Sequence, residues 1–144
     1  ALAKAQRFVQ DSRDSKTLER VKELSKPGGI WDCTHCGECV ERCPKPAEPF
    51  DRIKEIMTAA LEQGVTNNNG ARHALSFTKS VKSSGSLNEN VIPVESVGYF
   101  NLKGLFDLLP VGLRMFFKGK TPPILHKSID EVEDVKRIYK ELGE

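Results

Sequence analysis

The sequence predicts an all-α chain: a helical bundle with one cysteine-rich loop between its second and third helices, and a helical extension behind it. Three observations predict this class. Apolar residues recur at three- and four-residue intervals over most of the chain. No stretch alternates apolar and polar residues over a useful length. All four cysteines fall in one short segment, CTHCGECVERCP, which starts at Cys33 and ends at Pro44.

The first helix is expected over residues 2–10, with Leu2, Ala5, Phe8 and Val9 at helical spacing and Asp11-Ser12 as its end. Ser15 is the expected N-cap of a second helix whose inner face carries Leu18, Val21 and Leu24. Pro27-Gly28-Gly29 stops it. Ile30 and Trp31 lead into the cysteine loop, where an apolar neighbour either excludes water from a metal centre or packs as ordinary core. Pro44, Pro46 and Pro49 stiffen the exit, and Pro49 suits the first turn of a third helix with Glu48 near its positive end. Phe50, Ile53, Ile56, Met57, Ala60 and Leu61 form that helix's apolar stripe, and Gly64 ends it.

TNNNG, residues 66–70, reads as a loop. A helix follows from Ala71 to about Ser83, with Ala74, Leu75, Phe77, Thr78 and Val81 as inward positions and His73 as an ordinary side chain. Residues 91–100, with Pro93 and Gly98, are expected to be extended or irregular. LKGLFDLLPVGLRMFF, residues 102–117, is strongly apolar but broken by Pro110 and Gly112, so two short helices or one kinked helix are expected. It either folds back on the core or docks on a partner subunit or the membrane surface. Lys118, Lys120, His126 and Lys127 add positive charge after it. A last helix is expected from Ile129 to about Leu142, with Asp130 and Glu131 at its start.

Cys33, Cys36, Cys39 and Cys43 carry the chemistry. Their spacing is C-x2-C-x2-C-x3-C-P, the ligand run of bacterial iron–sulfur proteins. The two-residue gaps let three thiolates converge on one cubane, and the cysteine before the proline ligates a second cluster. Soft thiolates suit that cofactor. Three other readings compete. Disulfides would have to join residues two or three apart in a chain without a secretory signal. A structural zinc site draws on well-separated cysteine pairs, and this run would crowd one tetrahedral ion. A thioredoxin-like pair wants a βαβ setting that the pattern lacks. His35 lies within the loop as a solvent-facing or outer-sphere histidine, with ligation in the Rieske manner as the alternative.

One such run leaves a two-cluster arrangement incomplete. Cys33, Cys36 and Cys39 need a fourth partner, and Cys43 needs three, so the missing cysteines are expected upstream of Ala1 and the chain reads as part of a longer subunit. Alone, it is expected to hold a cluster weakly. Composition narrows the rest. The net charge of +2 gives no general attraction to nucleic acid. No run of apolar residues is long enough for a transmembrane helix. Cluster thiolates imply a reducing compartment. No acid–base or nucleophile constellation stands out, so substrate chemistry is not assigned to this chain.

ALAKAQRFVQDSRDSKTLERVKELSKPGGIWDCTHCGECVERCPK resembles the second half of the C-terminal α-helical ferredoxin domain in the iron–sulfur subunit of succinate dehydrogenase and fumarate reductase. The later pieces GARHALSFTKSVKSSGSLNEN and LLPVGLRMFFKGKTPPIL are similar to heterodisulfide-reductase-C-like proteins and to methylmenaquinol:fumarate reductases. The resemblance implies residues 1–90 as the ferredoxin half with its loop at 31–46, and 91–144 as a docking extension with a terminal helix. It implies an electron relay from a flavoprotein subunit to quinone in a succinate:quinone or quinol:fumarate oxidoreductase. The other implied partners are the N-terminal part of the same iron–sulfur subunit and a membrane-associated or heterodisulfide-reductase-B-like subunit. The implied place is the cytoplasmic side of the membrane, held there through those partners. Cys33, Cys36 and Cys39 would hold the distal cluster and Cys43 would complete the middle [4Fe–4S] cluster. The family's usual run is C-x5-C-x3-C-P with a distal [3Fe–4S] cluster; Cys36 restores a cysteine that run lacks and implies [4Fe–4S]. A heterodisulfide-reductase-like electron-transfer subunit and a zinc-stabilised interaction domain are the alternatives.

Overall fold

The computed structural model describes residues 2–123 and 125–143, and it is all-α with no strand among them. The chain divides into two compact units, residues 1–71 and 72–144.

In the first unit, α1 (Leu2–Val9) and α2 (Thr17–Leu24) pack on α4 (Pro49–Glu62). The core is Val9 of α1, Val21 of α2, Ile30 of a 3-10 turn (Ile30–Asp32), and Ile53, Ile56, Met57 and Ala60 of α4. The α4 residues stand at i, i+3, i+4 and i+7, the inner stripe of one helix. Pro49 fills its first position, where a missing N–H costs nothing, and Gly64 turns the chain at φ +71° just past its end.

Two details at the start of this unit differ from the expected pattern. α2 begins at Thr17 without a serine cap; the Asp14 carboxylate takes the cap's part by accepting from the Lys16 N–H at 2.9 Å and pairing with Arg20. Phe8 faces outward, with the Arg20 guanidinium 5.6 Å from its ring centre, and Leu18 is also exposed. Val9 and Val21 are the buried residues of α1 and α2, with Leu2, Ala3, Ala5 and Leu24 partly buried against the same core.

In the second unit, α5 (Asn69–Ser84), which begins just before the division, is followed by α6 (Val91–Val97), α7 (Leu102–Phe117) and α8 (Val132–Glu141). The expected loop at 66–70 is shortened because the Asn68 side chain accepts from the Ala71 N–H at 2.8 Å and starts the helix early. Leu75 and Phe77 are exposed, while Ser76 and Ser84 are buried. Their hydroxyls donate to carbonyls of their own helix, His73 and Ser80, so burial leaves no polar group unpaired. Residues 91–97 are helical where an extended or irregular segment was expected. Pro93 sits in the first turn, where no N–H is needed, and the Asn88 side chain accepts from the Asn90 and Val91 N–H groups.

The Arg72 guanidinium donates to the carbonyls of Ser96 (3.0 Å) and Val97 (3.3 Å) at the C-terminal end of α6. Lys79 and Glu95 join α5 to α6 across 2.6 Å. α7 is one continuous helix through Pro110, capped by the Asn101 side chain, and none of its residues is buried. Among the described residues no helix is long and apolar enough to cross a membrane.

Candidate metal centre

The loop between α2 and α4 is tied down at one end and open at the other. Ile30 is fully buried, and Trp31 packs on the core with its indole N–H donating to Ser25 Oγ at 3.1 Å. The Asp32 carboxylate accepts from the Gly28 N–H at 2.5 Å and closes the turn before the run. Cys33 follows, half-buried against the same core, with its N–H donating to the Ile30 carbonyl. Trp31 is partly buried against the core, and it anchors the segment that presents Cys33.

Beyond Cys33 the chain turns twice through left-handed conformations, at His35 (φ 56°) and Gly37 (φ 78°). The second is a glycine's natural place. The Gly37 carbonyl then accepts from Val40 and starts a single helical turn, α3 (Glu38–Glu41), which carries Cys39. The Cys43 N–H donates to the Val40 carbonyl, so Cys43 emerges as that turn ends. His35 is exposed, its ring edge-on to Phe50 at 5.2 Å, which places it beside the loop as a solvent-facing side chain.

All four thiols are free. Cys36 and Cys39 are exposed, and Cys33 and Cys43 are half-buried. Among the described residues no three Cys, His, Asp or Glu side chains converge as a metal site. The donor set itself fits an iron–sulfur cluster: soft sulfur ligands, unbridged, on a loop short enough to close around an inorganic core. Thiolate loops of this kind gather when the cluster binds. The loop is legible in the spacing, but its supports are not. Gly37 and Gly70, the latter against Trp31, show themselves only once the backbone is traced.

Residues 1–47 match the family described as a 4Fe-4S dicluster domain, a stretch that takes in α1 to α3 and all four cysteines. Fold and donor set thus define a helical segment carrying an iron–sulfur ligand run, and the cofactor class is an iron–sulfur cluster. The chain is similar to the iron–sulfur subunits of fumarate reductases and succinate dehydrogenases. It is 37% identical over 86 residues to the 8-methylmenaquinol:fumarate reductase iron-sulfur subunit of Wolinella succinogenes, covering 59% of this chain and 27% of that one. It is 39% identical over 64 residues to the fumarate reductase iron-sulfur subunit of Escherichia coli O157:H7 (44% and 23% covered). It is 37% identical over 57 residues to the succinate dehydrogenase iron-sulfur subunit of Coxiella burnetii (40% and 24%). The chain spans about a quarter of the length of these curated relatives. No solved structure matches it significantly.

Proposed function

We propose that this chain is part of the electron-transfer iron–sulfur subunit of a succinate:quinone or quinol:fumarate oxidoreductase, working between a flavoprotein subunit and the quinone side. The observation that carries the reading is the C-x2-C-x2-C-x3-C-P run on a loop anchored by Ile30 and Trp31, inside a segment matched by a dicluster family. The names of the similar proteins support the choice of complex. When bound, the clusters supply one-electron transfer at a potential set by their ligands and surroundings.

The chain's own residues do the rest. Cys33, Cys36 and Cys39 would hold one cluster as thiolates, leaving one of its irons to a ligand other than these three. Cys43 binds a second cluster. The Ile30–Trp31 side of the loop keeps water from the cysteine nearest the core, and the left-handed turns at His35 and Gly37 let the run fold back within a few residues. The association with a membrane-associated or heterodisulfide-reductase-B-like subunit belongs to this same reading.

The test is metal and sulfide analysis of the complete subunit purified without oxygen, with EPR of its oxidised and reduced states. Iron with acid-labile sulfide, and two interacting reduced-state signals, are expected. Zinc in place of iron overturns the reading.

A further inference from the structure

The apolar residues of α7 sort into faces. Leu102, Phe106, Leu109, Leu113 and Phe116 stand at i, i+4, i+7, i+11 and i+14, with Phe117 beside them, within roughly 100° of arc at 3.6 residues per turn. All six are exposed, Phe106 by 67%, Phe116 by 68% and Phe117 by 82%. Of the helix's large exposed apolar side chains only Val111 lies elsewhere. The half-buried residues, Gly104, Leu105, Leu108 and Met115, occupy the neighbouring arc, where Gly104 lets Val97 of α6 approach. On the opposite edge of the apolar row, Lys103, Asp107, Arg114 and Lys118 form a narrow charged stripe within roughly 60° of arc. Lys120 follows directly, and Phe100, just before the helix, is fully exposed.

We propose that α7 is an in-plane anchor that lays the row from Leu102 to Phe117 into the surface of a membrane containing anionic lipid. The chemistry of the edge selects this occupant. The row is bordered by Lys103, Arg114 and Lys118 against a single Asp107, an excess of positive charge that complements anionic lipid headgroups. No side chain within the row donates or accepts a hydrogen bond that could set the register of a protein partner. Lysine and arginine beside a bulky apolar face suit a bilayer: the stems lie along the acyl region while the charged heads reach lipid phosphates. The helix has 16 residues, so at 1.5 Å each it is about 24 Å long, enough to lie in the interface but too short to span the hydrocarbon core. This anchor uses none of the cluster ligands and acts whatever redox partners the chain has.

The test is cosedimentation of the full chain with vesicles of equal parts phosphatidylglycerol and phosphatidylcholine, and with vesicles of phosphatidylcholine alone. Binding to the anionic vesicles is expected, about tenfold or more tighter than to the neutral ones and weakened by salt, since each cation near the surface contributes about fivefold. L109E combined with F116E changes only exposed side chains, so circular dichroism should be unaltered, and vesicle binding is expected to fall by about tenfold or more. K118E combined with K120E is expected to weaken anionic binding by about 25-fold or more and to leave neutral binding unchanged. Failure to bind either vesicle, equal binding to both, or undiminished binding by the L109E/F116E chain overturns the proposal. Dimerisation lost in that variant, without vesicle binding, assigns the face to a second copy instead.

Discussion

Gly70 lies flat against Trp31: a β-carbon on Gly70 would stand 2.5 Å from the Trp31 Cβ and 3.0 Å from its Cγ. Trp31 in turn leads directly to Cys33. Gly70→Ala should therefore destabilise the first unit. Overpacking costs about 1–3 kcal/mol, and alanine's better helix propensity returns roughly 0.5–1 kcal/mol. The net loss should be about 1–2 kcal/mol. Trp31 is the chain's single tryptophan, so urea unfolding followed by its fluorescence reports on this unit directly. An unchanged midpoint would mean that the tryptophan yields freely.

Ile56 is fully buried at the centre of the α1–α2–α4 core. Ile56→Ala leaves a cavity between three helices that cannot all close on it, and should cost about 2–5 kcal/mol. Leu75→Ala, on an exposed face of α5, should change stability by less than about 0.5 kcal/mol. Equal effects in thermal unfolding would contradict this placement of the core.

Asp14 gives a dependence on pH. The Lys16 N–H and the Arg20 side chain, in that order, hold its carboxyl below the usual range. A depressed folded-state value means that the contribution is complete above about pH 4, the unfolded carboxyl's value, and is lost as pH falls through the folded value. Asp14→Asn keeps a cap acceptor but loses the charge pair. The difference in unfolding midpoint between the two proteins should be largest near neutrality and vanish in acid, and salt should shrink it because the Arg20 side of the pair is exposed. A difference that persists at low pH would show that the Asp14 charge is not its source.

The α4 helix was legible residue by residue, because its four buried side chains obey one period and a proline and a glycine mark its ends. α5 was legible as a helix but not in its facing. Hydropathy places Leu75 and Phe77 inside and serines outside, whereas Ser76 and Ser84 satisfy their hydroxyls within the helix and so bury at little cost. Proline misled once: Pro93 reads as a breaker yet occupies a first turn. At Pro110, where two short helices or one kinked helix were expected, α7 runs on as a single helix. At the metal centre, spacing alone located the four cysteines in one loop. It could not show that Cys33 leans on the core while Cys36 and Cys39 stand in solvent, because that contrast comes from the Ile30–Trp31 anchor and the turn at Gly37.

Cys36 should decide the type of cluster held by Cys33 and Cys39 in the complete subunit. A cubane has four irons, and each needs one outside ligand. The run offers three, from Cys33, Cys36 and Cys39, and a cysteine outside this chain offers the fourth. Cys36 is exposed and lies between the left-handed turns at His35 and Gly37, so truncating it removes a thiolate without disturbing the core. Cys36→Ala leaves one iron without a protein ligand, and that iron is the one most readily lost. The wild-type subunit should then show a [4Fe–4S] EPR signal on reduction, and the variant a three-iron signal in the oxidised state. Cluster type and charge set the potential, and loss of a thiolate should raise it. Unfolding followed by Trp31 fluorescence should be unchanged in the cluster-free protein, which separates loss of a ligand from loss of fold. A three-iron signal already present in anaerobically purified wild type, or identical spectra for the two proteins, would show that Cys36 is not a ligand and that the loop is not a complete three-thiolate run.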